Sequence, residues 1–122
     1  MLFRSKTRRF RAALPRVRPH FAVKANPDPR VLKVLMQEGS GFEIASIAEL
    51  DLLMGLGVPV AEIFYSNPMK SRAYLEYAAS KGVEWYVVDS EEEIRKVQSV
   101  KADAKLYLRI DAPNIEIGRA HV

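Results

Sequence analysis

The chain has 122 residues, 48% of them apolar and 28% charged, with a net charge of +4 and no cysteine. It is long enough for one globular domain and too short for most two-domain enzymes, and it can form neither disulfides nor thiolate metal sites. No apolar run reaches the roughly 18 residues of a membrane span and the basic N-terminus lacks the apolar core of a signal peptide, so a soluble, cytoplasmic protein with no metal is expected.

The first segment, KTRRFRAALPRVR, gathers Lys6, Arg8, Arg9, Arg11, Arg16 and Arg18. No aromatic interleaving or recognition-helix pattern accompanies the charge. It therefore reads as the solvated face of an amphipathic helix, with Phe10, Ala13 and Leu14 turned inward, and neither nucleic acid nor membrane is expected as a partner. The two ends of the chain look foreign. MLFRS is what ATG CTC TTC CGA TCT encodes, and EIGRAHV is what GAG ATC GGA AGA GCA CAC GTC encodes; both strings resemble sequencing-adapter DNA read as protein. Residues 1–5 and 117–122, with Glu116 at the boundary, are thus expected to be non-native ends of a reading frame cut from a longer gene, and residues 6–116 its native part. On that reading His121 has no function.

Five apolar, strand-like runs follow: FAVK, FEIA, IFYS, WYVV and LYLRI, starting at Phe21, Phe42, Ile63, Trp85 and Leu106. Their spacings of 21, 21, 22 and 21 residues fit a short strand, a helix and two loops. The helices between them have legible ends. Asp28-Pro29 supplies an N-cap and a first-turn proline, and Gly39 a stop. Ser46 with Glu49, and Ser90 with Glu93, have capping-box spacing. The third helix is predicted to begin near Asn67-Pro68 and to stop before Gly82. Strand and helix alternate with no hairpin signal, which predicts a parallel α/β sheet, and the regular period favours a (β/α)₈ barrel over a doubly wound sheet. Five strands make a partial barrel.

Strand side chains alternate between faces. If the larger apolar set of each strand faces the helices, then Lys24, Glu43 and Arg109 all face the barrel interior, with Ala22, Ala45 and Tyr107 as their neighbours. One alternative is a buried salt-bridge network. Barrel interiors are usually filled by branched apolar residues, however, and Lys24 falls at the C-terminal end of its strand, where barrel enzymes place their chemistry. An amine partly desolvated beside other cations becomes nucleophilic, so Schiff-base chemistry is the expected use of Lys24.

The stretch FAVKANPDPRVLKVLMQEG resembles the pyridoxal-phosphate attachment signature of the ornithine/diaminopimelate/arginine decarboxylase family: an aromatic residue, a small one and the lysine, then Val31, Leu32, Leu35 and the closing Gly39. GFEIASIAEL, IFYSNPMKS, VVDSEEEI and KLYLRI are similar to the next blocks of that family, in the same order and spacing. The resemblance covers Leu14 to Ile110. It implies an alanine-racemase-like barrel joined to a β domain, and pyridoxal 5′-phosphate as cofactor. Lys24 matches the lysine that holds the cofactor covalently, and Arg109 an arginine near it. Glu43 stands where ornithine decarboxylases often carry an aspartate, keeping the charge on a longer arm. ASIAEL is closer to ornithine decarboxylases and their lysine/ornithine relatives than to the serine-glycine-glycine run usual in diaminopimelate decarboxylases. The resemblance therefore implies decarboxylation of a small basic amino acid, L-ornithine to putrescine, by a homodimer with shared active sites. A lysine/ornithine or diaminopimelate decarboxylase, a non-catalytic regulatory homologue and a pyridoxal-phosphate-binding barrel protein remain as alternatives. It also implies that the ring-stacking histidine, the glycine-rich phosphate loop and the second-subunit residues lie outside the chain. Alone, the 122 residues are expected to be inactive and poorly folded, because an open half-barrel exposes strand edges. His20 is read as a surface or loop residue, Asn67 and Lys70 as loop and helix-start residues, and Asp89 as a cap or turn.

Overall fold

The computed structural model describes residues 2–113. The expectations for Met1, Glu116, residues 117–122 and His121 lie outside the described residues. Five short strands, β1 (His20–Ala22), β2 (Gly41–Ile44), β3 (Ile63–Tyr65), β4 (Trp85–Val88) and β5 (Lys105–Leu108), alternate with helices α2 (Pro29–Gln37), α3 (Ile47–Gly55), α4 (Arg72–Ser80) and α5 (Glu91–Val100), and α1 (Leu2–Ala13) precedes them. The strands form one all-parallel sheet in the order β1-β2-β3-β4-β5. With right-handed crossovers, a strictly sequential order puts every connecting helix on one face of the sheet. The other face is left free, as in the interior of a barrel. A doubly wound sheet would reverse its strand order part-way and carry helices on both faces.

The core lies between sheet and helices. Phe42, Ile44, Ile63, Tyr65, Tyr86 and Val88 point outward from the strands and meet Leu32, Leu50, Leu53, Leu75 and Val97, all of them buried. The helix ends are built alike. Asp28, Ser46, Ser71 and Ser90 each accept a hydrogen bond from a first-turn backbone N–H. At the other end Gly39, Gly57 and Gly82 have positive φ, and the next residue's N–H returns to the carbonyl five positions back, as Ser40 does to Leu35 and Val83 to Ala78. Only glycine takes that conformation without steric cost, which is why it stops these helices.

Four expectations need correction. The third helix begins at Arg72, capped by Ser71, and not near Asn67-Pro68. The intervening residues form a loop in which Asn67 Oδ1 accepts from the Met69 N–H at 3.2 Å. The strand holding FAVK stops at Ala22, because its register with β2 runs out at the Ala22–Glu43 pair; the Val23 carbonyl then accepts from Asn26 N–H in a 3₁₀ turn, Val23–Ala25. His20 is a strand residue, half-buried on the inner face, its ring edge-on to Phe64 at 4.3 Å. Helix α1 does not turn its apolar stripe inward: Phe10 and Leu14 remain 42% and 46% exposed. Its basic face docks instead. Arg4 and Arg8 bond the Glu38 carboxylate, and Arg11 donates to the Glu38 carbonyl at the end of α2, where the helix dipole favours cations.

Candidate functional site

The inner face of the sheet is built in rows. The register sets Ala22, Glu43, Phe64, Trp85 and Lys105 side by side across all five strands. Two residues further toward the strands' C-terminal ends come Lys24, Ala45, Ser66, Val87 and Tyr107, and then Arg109. Ala22, Lys24, Glu43, Ala45, Ser66, Val87, Tyr107, Leu108 and Arg109 border one cavity of about 360 Å³. It opens at the C-terminal edge of the sheet, the end that carries chemistry in barrel enzymes.

Each polar member is held by a local device. At Lys24 the 3₁₀ turn sends Val23 into the core, fully buried, and leaves the lysine exposed on the opposite side. Asn26 Oδ1 accepts from the Asp28 N–H (3.1 Å) and Asp28 Oδ1 from the Arg30 N–H (2.9 Å), so Asn-Pro-Asp-Pro is a turn followed by a cap. Glu43 lies mid-strand on β2, half-buried. Ser66 is fixed by donating both its N–H (2.9 Å) and its hydroxyl (3.2 Å) to the Ile44 carbonyl. Arg109 follows β5 directly, tethered by its N–H to the Val88 carbonyl at 2.8 Å, with its side chain exposed beside Asp89 and Asp111. The structure thus brings Lys24, Glu43 and Arg109 to one cavity. Among the described residues no ion pair joins them, which removes the salt-bridge-network reading, and the Lys24 amine has no hydrogen-bond partner there.

Beneath the cavity lies an aromatic layer. Phe64 and Trp85 stack with ring planes 2° apart and centroids at 5.2 Å, and Tyr107 leans on both at 5.7 and 6.3 Å. The Tyr107 hydroxyl is buried and bonds to nothing among the described residues. Burial, with Glu43 nearby, pushes its pKa up to about 12, so it keeps its proton. An unsatisfied buried hydroxyl costs about 1–3 kcal/mol. Alternation carried through the third and fourth strands would have located Phe64 and Trp85, and Tyr107 shares its face with Arg109.

Lys70 is a functional-looking residue misjudged from its loop-like surroundings, and the helix-start reading is corrected here. It is only 2% exposed. Its Nζ donates to the carbonyls of Asn67 (2.9 Å) and Val87 (2.6 Å) and pairs with Glu93 at 3.0 Å. Glu93 also pairs with Lys96 at 2.7 Å. The expected capping box at Ser90 is therefore half-made: Ser90 caps the Glu93 N–H, but the carboxylate turns to the lysines. At Ser46 the reciprocal bond is present, shifted by one residue, with Glu49 Oε1 accepting from the Ala45 N–H at 2.8 Å. Burial lowers the Lys70 pKa, with Glu93 opposing; burial likewise disfavours the Glu93 carboxylate, but Lys96 and Lys70 outweigh it and its pKa is lowered. Lys70 ties the end of β4 to the loop after β3, so it braces two sides of the cavity. Among the described residues, no three histidine or acidic side chains stand together as a metal site, and no helix is long and apolar enough to cross a membrane.

A planar carbonyl compound suits this lining. A free amine is available for covalent attachment, and alanine and serine walls leave room for a flat ring. Comparison with known proteins agrees. The family described as pyridoxal-dependent decarboxylase, pyridoxal binding domain, matches residues 2–121. Ornithine decarboxylase of Schizosaccharomyces pombe is 47% identical over 102 residues, 84% of this chain and 24% of that protein. Human antizyme inhibitor 2 is 45% identical over 101 residues, 83% of this chain and 22% of that protein. The crystal structure of ornithine decarboxylase from Entamoeba histolytica superposes with a TM-score of 0.86 at 33% identity, covering 88% of this chain and 33% of the other. The chain spans about a quarter of the length of the curated relatives it matches.

Proposed function

The chain belongs to the pyridoxal-dependent decarboxylases, as part of their pyridoxal-binding barrel, and from that premise we propose that the whole protein decarboxylates a small basic amino acid, L-ornithine, to putrescine, with Lys24 as the residue that binds the cofactor covalently. Residues 6–116 then belong to the N-terminal part of that barrel. The protein works in the cytoplasm, in polyamine biosynthesis, as a homodimer with shared active sites. The observation that carries the assignment is the contrast between two lysines at the same end of the sheet. Lys70 is buried with its ammonium tied to two carbonyls and a carboxylate, whereas Lys24 is exposed at the cavity with its amine unengaged among the described residues.

When bound, pyridoxal phosphate supplies an aldehyde for amines and a pyridine ring that accepts the electron pair left as the carboxylate departs as carbon dioxide. The chain's own residues bind and orient. Lys24 Nζ is the nucleophile that holds the cofactor, and once released it is an amine able to carry a proton at the cavity mouth. Arg109 places a permanent positive charge on the same rim, suited to an anionic group. Glu43 offers a carboxylate to a cationic one. The stacked Phe64–Trp85 pair lies one register row below these groups and gives them an apolar neighbour.

The test is covalent trapping. The whole protein is incubated with pyridoxal 5′-phosphate, reduced with borohydride and digested, and the modified lysine is located by mass spectrometry. Modification should concentrate on Lys24 and vanish from that peptide in Lys24→Ala; labelling spread evenly over the surface lysines would overturn the assignment. Product analysis with ornithine, lysine and diaminopimelate separates the substrates for the whole protein. The 45% identity to antizyme inhibitor 2 supports a second reading, a non-catalytic regulatory homologue, and trapping at Lys24 without any decarboxylation would favour it.

A further inference from the structure

The ladder between β3 and β4 ends at the Tyr65–Tyr86 pair. One residue further along β4 the Val87 carbonyl accepts from Lys70 Nζ at 2.6 Å, so the lysine takes the place of a rung that β3 does not supply. The same ammonium holds the Asn67 carbonyl at 2.9 Å. On its other side this segment is tied to β2. Ser66 donates its N–H and its hydroxyl to the Ile44 carbonyl, and Asn67 Nδ2 donates to the Ala45 carbonyl at 3.4 Å. Residues 66–70 therefore staple β2 to β4 across the end of β3. Ala45, Ser66 and Val87 form the middle of the cavity wall, with Lys24 to one side of them and Arg109 to the other. Arg109 itself hangs by its N–H on the next carbonyl of β4, that of Val88. The staple is held firmly. Lys70 is 2% exposed, its Nζ and its N–H both engage the Glu93 carboxylate, at 3.0 and 3.3 Å, and its carbonyl accepts from Lys96. Supporting side chains locked in this way keep a site in its productive geometry. We propose that Lys70 is a positioning residue: by joining the Asn67 and Val87 carbonyls it fixes the spread of the cavity between Lys24 and Arg109, and so the fit of the cofactor, without touching it. The inference rests on the reading that Lys24 binds pyridoxal phosphate.

Two variants of the whole protein separate positioning from stability. Glu93→Gln breaks the ion pair and leaves Lys70 on both carbonyls. Lys70→Met removes the carbonyl tether and leaves Glu93 paired with Lys96. The apoprotein of each is melted, and it is titrated with pyridoxal 5′-phosphate at a temperature where it is folded. A merely structural lysine would weaken binding only as far as it weakens the fold, so the two variants would rank alike in both measurements. Positioning reverses the ranks: Glu93→Gln should melt lower, and Lys70→Met should bind more weakly. Misplacing a binding group by about 1 Å can cost on the order of 100-fold, so a loss of cofactor affinity of about tenfold or more is expected for Lys70→Met and below about threefold for Glu93→Gln. Lys70→Met combined with Glu93→Gln should bind as weakly as Lys70→Met alone. Affinities that follow the order of the melting temperatures, or a Lys70→Met protein within twofold of wild type, would overturn the proposal while leaving Lys24 in place. Failure of both Lys70 variants to fold would overturn it too, because the lysine would then be structural alone. Absence of borohydride-trapped cofactor on wild-type Lys24 would instead overturn the reading beneath it.

Discussion

Replacing Glu93 by Gln should be among the most damaging polar substitutions in this chain. The carboxylate is 5% exposed and faces the ammonium groups of Lys70 at 3.0 Å and Lys96 at 2.7 Å. At an effective dielectric constant of about 20, a charge pair at that first distance is worth roughly 5 kcal/mol of Coulomb energy, much of it offset by the cost of desolvating both partners. Removing one partner leaves the offset without the gain. Buried pairs broken in this way typically lose about 3–5 kcal/mol. Because Lys70 keeps its bonds to the Asn67 and Val87 carbonyls, the lower end, about 3 kcal/mol, is expected. Lys70→Met should cost less, about 1–2 kcal/mol: it removes the charge itself, and Glu93 retains Lys96. The double variant should be more stable than the sum of the singles implies, by about 1–3 kcal/mol. Urea unfolding followed by far-ultraviolet circular dichroism measures all four proteins. With a slope of about 2 kcal/mol per molar urea, Glu93→Gln should lower the midpoint by about 1.5 M. A Glu93→Gln loss below about 1 kcal/mol, or strict additivity in the double variant, would refute a buried, coupled pair.

Lys24→Ala should leave the unfolding midpoint within about 0.5 kcal/mol of wild type while abolishing cofactor trapping, since an exposed amine with no partner adds little to stability. A large loss of stability would make Lys24 structural. Ser46→Ala should cost about 1 kcal/mol, read by thermal melting, because the helix α3 cap and its bond to the Glu49 N–H disappear. Gly41→Ala should destabilise by about 1–3 kcal/mol, since its new methyl would lie 2.6 Å from His20 Nδ1 and force that ring off Phe64. Acid should destabilise the fold. The Arg30 side chain holds the Asp28 carboxyl at about 2, and the Glu38 and Glu93 pKa values are also lowered, the first chiefly by Arg8 and the second by Lys96 and Lys70. Below about pH 4.5 the unfolded chain therefore binds more protons than the folded one, and stability present at neutral pH should fall progressively toward pH 2 in melting experiments. A flat profile over that range would contradict these pairings.

The parallel sheet was legible because the strands are short and apolar and the first four are each followed by a helix, three of which open on caps that the sequence shows, Asp28, Ser46 and Ser90. The shared cavity of Lys24, Glu43 and Arg109 was legible from alternation because the residues just past β1 and β5 keep to the faces that the strands set, with Val23 buried and Lys24 at the cavity. What escaped the sequence depends on partners far along the chain. Lys70 becomes a buried brace through Glu93, 23 positions later, and the Val87 carbonyl. The inward face of α1 is chosen by Glu38, whose carboxylate draws the arginines down and leaves Phe10 outside. The end of β1 is set by the 3₁₀ turn in which the Val23 carbonyl accepts from the Asn26 N–H, a bond formed beyond FAVK itself.

The stacked Phe64–Trp85 pair has an optical consequence. Trp85 is the chain's only tryptophan, and it lies in the layer directly under the cavity. Pyridoxal compounds absorb in the near ultraviolet, where indole emits. Excitation energy from Trp85 should therefore pass to a molecule seated above it, dimming the emission without moving its wavelength. Unfolding would move the wavelength instead. One native fluorophore can thus register occupancy and folding as two separate signals, with no label added.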